Sequence, residues 1–245
     1  MKVALFVPCY IDQFYPQVAV ATLELLTKLG CEVVFPLNQT CCGQPMANSG
    51  CESDTINTGK NLVENFKDFD YIVGPSGSCV LHVRKHYGLM EQTEDVKKVR
   101  GNIYELCEFI TDVLKLTHLK ASFPFKVGLH QSCHGQRGMR LSQCSELNDS
   151  YYSKVTPLLD MVKGLEIINL DRKDECCGFG GTFCVSEEAV SARMGQDRVA
   201  DHIKNGAEFI IGGDTSCLMH MEGILKREGS KVKTMHIAEI LNANL

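Results

Sequence analysis

The chain has 245 residues, 44% of them hydrophobic and 22% charged, with a formal net charge of −5 and a pI of about 5.9. That composition is globular and excludes a disordered chain; the length suits one large α/β unit or two small domains with separate cores. No basic stretch exceeds Lys97-Lys98-Val99-Arg100, so no nucleic-acid partner is expected, and no apolar run reaches transmembrane length.

In chain order, Lys2 to Val7 predicts a strand leading to Cys9. Its single lysine and six-residue apolar run are too short for a signal peptide, so a cytoplasmic location is expected. Apolar residues at helical spacing predict a helix over Val18 to Leu29, stopped by Gly30, followed by a short strand over Cys31 to Phe35. A helix over Ser53 to Phe66 precedes a buried strand over Tyr71 to Val73. Phe125 to Leu129 predicts the strand that opens the second half and leads to Cys133. Then come a strand over Glu166 to Leu170, a long helix over Ser186 to Lys204 ended by Asn205-Gly206, and strands over Phe209 to Ile211 and Val232 to Met235. Alternating strands and helices predict an α/β fold of parallel sheets with helices on both faces. Ligands bind such sheets at the carboxyl ends of strands, where Cys9, Cys79, Cys133 and Cys217 fall.

The chain also repeats itself. Cys41-Cys42-Gly43 recurs 135 residues later as Cys176-Cys177-Gly178, and Asp70-Tyr71-Ile72-Val73-Gly74 before Cys79 matches Glu208-Phe209-Ile210-Ile211-Gly212 before Cys217. Tyr104-Glu105-Leu106-Cys107-Glu108-Phe109-Ile110 resembles Met235-His236-Ile237-Ala238-Glu239-Ile240-Leu241. With the strands that lead to Cys9 and Cys133, these make four landmarks in one order and predict two pseudo-symmetric Rossmann-like repeats, 1–120 and 121–245.

Thirteen cysteines in a reducing compartment point to metal or redox chemistry rather than disulfides. Eight of them form two matched sets, Cys9, Cys41, Cys42, Cys79 and Cys133, Cys176, Cys177, Cys217. Thiolates suit iron–sulfur clusters or zinc. Adjacent cysteines serve one site only at a sharp turn, which Gly43 and Gly178 permit. Two neighbouring thiolates can reach different irons of a cluster; a single tetrahedral zinc is harder to satisfy with both, and stays open as the occupant of one site or as a substitute. Gly178-Phe179-Gly180-Gly181-Thr182 can aim backbone N–H groups at anionic sulfur. Of the five unmatched cysteines, Cys31, Cys51, Cys107, Cys144 and Cys184, Cys31 and Cys107 read as core residues. His82 and His220, each three residues after a ligand-set cysteine, read as core or surface histidines, with ligation the rarer alternative; His134 is an expected donor beside Cys133. No catalytic nucleophile, dinucleotide fingerprint or flavin site emerges.

These residues resemble the CCG-type cysteine-rich domain family, which includes heterodisulfide reductase B subunits and glycolate oxidase iron–sulfur subunits. The stretches Cys41-Cys42-Gly43-Gln44-Pro45, Pro75-Ser76-Gly77-Ser78-Cys79, Cys176-Cys177-Gly178-Phe179-Gly180-Gly181-Thr182-Phe183 and Met235-His236-Ile237-Ala238-Glu239 are most similar to its short two-domain lactate utilisation members. The resemblance implies one or two iron–sulfur clusters, of 4Fe–4S type. It also implies a non-catalytic or co-catalytic role in oxidising L-lactate to pyruvate, with companion lactate utilisation proteins B and C. Family members with the full motif end each repeat in Cys-x-x-Cys. Here the first of those positions is Ser76 or Asp214, which leaves four thiols per set and argues against a five-thiolate cluster and a disulfide-reducing role.

Overall fold

The computed structural model describes residues 1–244; Leu245, the end of the second expected repeat, lies outside the described residues. Two compact units divide the chain, Met1–Leu114 and Lys115–Leu245.

The first unit runs β1 (Lys2–Leu5), α1 (Cys9–Phe14), α2 (Pro16–Lys28), β2 (Glu32–Val34), α3 (Gln44–Asn48), α4 (Thr55–Phe66), β3 (Ile72–Gly74), α5 (Gly77–His86), α6 (Glu94–Asn102), β4 (Ile103–Glu105) and α7 (Leu106–Glu108). Its four strands are all parallel, in the order β2-β1-β3-β4. Pro16 starts α2 at a position where the missing N–H costs nothing. Val18, Ala21, Thr22, Leu25 and Leu26 then form one buried stripe. Two backbone bonds close the helix end, Gly30 N–H to the Thr27 carbonyl and Cys31 N–H to that of Leu26, both at 3.0 Å. Phe6 and Phe66 meet edge-on beneath the sheet at 5.8 Å, both fully buried; each such side chain contributes about 1.5–3 kcal/mol.

The second unit repeats the plan with β5 (Lys126–His130), α8 (Thr156–Leu159), β6 (Glu166–Ile167), α9 (Phe183–Ser186), α10 (Glu188–Lys204), β7 (Phe209–Gly212), α11 (Thr215–Arg227), β8 (Lys233–His236) and α12 (Ile237–Leu241). Its parallel order is β6-β5-β7-β8, the same topology as the first sheet. Val127, Ile210, Ile211, Leu218, Met221, Leu225 and Ile240 are buried around it.

Two expected elements differ. The strand over Glu166 to Leu170 stops at Ile167, because the backbone N–H groups of Asp171 and Arg172 turn away to the Asp201 carboxylate at 3.1 and 3.2 Å. The helix over Ser186 to Lys204 is two pieces. Glu187, at φ −123° and ψ 49°, breaks it, and α9 instead folds back on the glycine-rich turn, where the Cys184 thiol donates to the Gly181 carbonyl at 3.0 Å.

Candidate metal centres

In each unit, three connections leaving the carboxyl ends of parallel strands bring sulfur to one place. In the first, β1 runs on through Phe6-Val7-Pro8 to Cys9, the first residue of α1. Beyond β3, Ser76 caps α5 by accepting from the Cys79 N–H at 3.4 Å, which sets Cys79 in the first helical turn. The adjacent pair arrives between β2 and α3, where Gly43 takes φ +92°, a left-handed conformation that costs an L-residue about 1–2 kcal/mol. That turn lets both neighbours face one site. The Cys9 thiol donates to the Cys41 sulfur at 3.5 Å, the Gly43 N–H donates to the same sulfur at 3.4 Å, and Cys42 hydrogen-bonds to Cys41 and Cys79.

The second unit repeats the arrangement. Cys133 hydrogen-bonds to Cys176, and Cys177 hydrogen-bonds to Cys176 and Cys217. Gly178, at φ +85°, donates its N–H to the Cys176 sulfur at 3.4 Å. Asp214 precedes α11 as Ser76 precedes α5, and the Ser132 hydroxyl donates to its carboxylate. Ser76 and Asp214 therefore stand at the N-termini of the helices that carry Cys79 and Cys217.

Charge is concentrated on one sulfur in each set. Hydrogen bonds from Cys42 and Cys9 hold the Cys41 thiol far below its ordinary range, helped by the Gly43 N–H and the field of His82. Cys133 and Cys177 do the same for Cys176. The donors Cys9, Cys42, Cys133 and Cys177 are pushed up, first by those hydrogen bonds to the charged neighbour and then by burial. A metal cation binding here would displace the remaining protons, as thiolate ligation requires.

The donor set fits a soft metal: four sulfurs in each case, with Cys42, Cys79 and Cys177 buried. Sulfur spacing adds a constraint. The 3.5 Å between Cys9 and Cys41 is close to the edge of a sulfur tetrahedron around one zinc, roughly 3.8 Å for Zn–S bonds of about 2.3 Å. A multi-iron cluster requires the sulfurs to spread.

The histidines divide by environment. His82 is buried in α5, stacked on His86 at 4.8 Å. His220 turns its Nε2 toward the Ser191 carbonyl of α10 at 3.3 Å. His134 Nδ1 stands 3.8 Å from the Cys133 sulfur, where a donor was expected. Cys31 and Cys107 are buried in the core.

Sequence reasoning missed His130. A ring nitrogen of this residue and the sulfurs of Cys177 and Cys217 lie within 4.8 Å of one another. Burial, and then the Arg198 charge, push the imidazole down to about 3. The available signal was a break in the repeat: His130 stands three residues before Cys133, whereas the apolar Phe6 stands three before Cys9.

Comparison with known proteins matches a cysteine-rich domain (CCG) family model twice, over residues 3–84 and 127–222. Lactate utilization protein A of an Exiguobacterium strain is 44% identical over 98% of this chain and 97% of its own length. The protein of the same name from Bacillus subtilis is 42% identical over 99% and 100%. A solved structure of a hypothetical protein from Helicobacter pylori superposes with a TM-score of 0.66 at 14% identity, covering 98% of this chain. This chain spans about half of that structure, 48%, and the likeness shows the fold alone. With both repeats matched and relatives this similar along the whole chain, the protein belongs to the cysteine-rich (CCG) domain family, among the relatives called lactate utilization protein A.

Proposed function

We propose that the chain is an iron–sulfur electron-transfer subunit of a cytoplasmic system that oxidises L-lactate to pyruvate, working with companion lactate utilisation proteins B and C. The observation that carries the reading is the convergence of four sulfurs in each unit around a turn bearing two adjacent cysteines. Lactate enters through the names of the relatives. Cys9, Cys41, Cys42 and Cys79 hold one 4Fe–4S cluster, and Cys133, Cys176, Cys177 and Cys217 hold a second. A bound cluster supplies one-electron transfer. The chain's own groups bind it through thiolate, donate Gly43 and Gly178 N–H groups to sulfur, and set the N-terminal ends of α5 and α11 beside Cys79 and Cys217. Those helix ends favour negative charge.

The alternative of a heterodisulfide-reductase-like thiol/disulfide subunit is disfavoured, because Ser76 and Asp214 occupy the places of the extra cysteines. A second reading has a specific observation behind it. The close Cys9–Cys41 spacing favours a single tetrahedral zinc with a structural or assembly role. X-ray absorption on the anaerobically purified full chain separates the two. A cluster shows iron with an iron–iron scattering shell, and zinc shows only a sulfur shell at about 2.3 Å. The functional test is a spectrum of the anaerobic chain mixed with its companion proteins. L-lactate should bleach the cluster absorption, and absorption unchanged by lactate in the complete mixture would contradict the electron-transfer role.

A further inference from the structure

A buried polar cluster built on Arg198, Asp201 and His130 lies beneath the second cysteine set. Arg198 of α10 is fully buried, and its guanidinium is committed on several sides. Nη1 donates to the Arg172 carbonyl at 2.6 Å and pairs with Asp201 at 3.3 Å, while Nε donates to His130 Nδ1 at 3.2 Å. Asp201 is held in turn by the backbone N–H groups of Asp171 and Arg172. His130 itself is buried at the end of β5, and its Nε2 has no hydrogen-bond partner among the described residues. In the first unit the position that matches His130, three residues before the first cysteine of the set, is the apolar Phe6, which meets Phe66 edge-on.

Arginine is a donor only and keeps its protons, so a nitrogen that accepts from it must present a lone pair. His130 Nδ1 is therefore unprotonated, and the single ring proton of the neutral imidazole sits on Nε2. A metal ligand needs a lone pair on the coordinating nitrogen. With Nδ1 occupied by Arg198 and Nε2 protonated, His130 has none to give, despite its place beside Cys177 and Cys217.

We propose that Arg198 fixes His130 as the Nε2–H tautomer, so that His130 serves the second centre as a hydrogen-bond donor to sulfur and not as a metal ligand. The role at a loaded centre rests on the reading of the second set as a cluster site; the tautomer does not. Donation to a sulfur stabilises the more negative, reduced state and raises the reduction potential. Arg198 is the positioning residue, and His130 is the group aimed at the sulfurs.

The first measurement is nitrogen-15 NMR of the histidine-labelled, metal-free, reduced full chain. It should show His130 protonated at Nε2 and bare at Nδ1; the opposite tautomer, or rapid exchange between the two, overturns the inference. Because no metal is present, this result stands whether or not the chain later proves to carry iron. In the loaded chain, His130→Leu should keep the iron content of wild type and lower the potential of one centre, and His130→Gln, which retains an N–H at that end, should restore it. A directly coordinated histidine nitrogen in pulsed EPR of the wild type, or loss of metal from His130→Leu with helix content intact, would show His130 to be a ligand and overturn the proposal.

Discussion

Gly43 and Gly178 share a left-handed backbone, at φ +92° and +85°, but an added methyl group would meet different neighbours. At Gly43 the nearest atom is the Thr55 side chain at 3.2 Å, which can give way. At Gly178 it is the Ser191 carbonyl oxygen and the Met194 Cβ, both at 2.7 Å, on helix α10. Gly43→Ala should therefore cost about 1–2 kcal/mol from backbone strain alone. Gly178→Ala should cost a further 1–3 kcal/mol or so from overpacking. Denaturant unfolding of the two variants checks the order; equal losses would mean that the α10 contact does not constrain the turn. His202 carries a second residue-scale prediction. It is fully buried against the Gly128 backbone, and burial, with Arg198 and His130 beside it, pushes it down to about 2. An unfolded histidine titrates near 6.5, so below that pH the unfolded chain binds the extra proton and the folded one does not. Stability is thus present above about pH 6.5 and is lost as pH falls toward 2, at up to about 1.4 kcal/mol per pH unit. In the metal-free chain, His202→Leu should flatten the slope of stability between about pH 4.5 and 6.5 by up to one proton. An unchanged slope would show that His202 is protonated in the fold.

At the scale of elements, both units close on the same device. Glu105 and Glu108 cap α7 reciprocally, the Glu105 carboxylate accepting from the Glu108 N–H at 3.1 Å and the Glu108 carboxylate from the Glu105 N–H at 3.4 Å. At α12 the His236 ring accepts from the Ala238 N–H, and the Glu239 carboxylate accepts from the His236 N–H, both at 3.1 Å. Glu108 also receives both ends of the Arg84 guanidinium, at 3.1 and 2.7 Å, which ties α5 to the end of the sheet. Glu108→Ala removes the reciprocal half of the cap and the carboxylate partner of a half-buried arginine, and should cost about 2 kcal/mol. Glu108→Gln keeps an acceptor for the cap and should cost less; thermal melts that rank the two the other way would contradict this account. The closing elements were visible in the sequence as a repeated pattern, because strand alternation and a carboxylate three residues on are local signals. The early end of β6 was not, because Asp171 and Arg172 turn toward an aspartate 30 residues away. The break at Glu187 was equally hidden, since α10 by itself has ordinary helical spacing.

For the molecule as a whole, the internal repeat was legible because doubled cysteines and flanking strands recur in order, and the two sheets share one topology. The site was legible only as far as that symmetry reached. His130 and Arg198 were overlooked because His130 breaks it: a buried histidine that accepts from Arg198 stands where the first unit has Phe6. Each unit buries its own apolar core around its sheet, so removal of metal should leave circular dichroism in the helical bands nearly unchanged; wholesale loss of helix would make the metal structural, as in small zinc domains. Among the described residues no helix is long and apolar enough to cross a membrane. The central claim is that each cysteine set holds its own iron–sulfur cluster. It is tested most directly by counting iron, acid-labile sulfide and zinc per chain in anaerobically purified wild type, Cys41→Ser and Cys176→Ser. The account predicts iron and sulfide in equal amounts in the wild type, and about half of each in either variant. Zinc without sulfide in the wild type, or full iron retained in both variants, would contradict it.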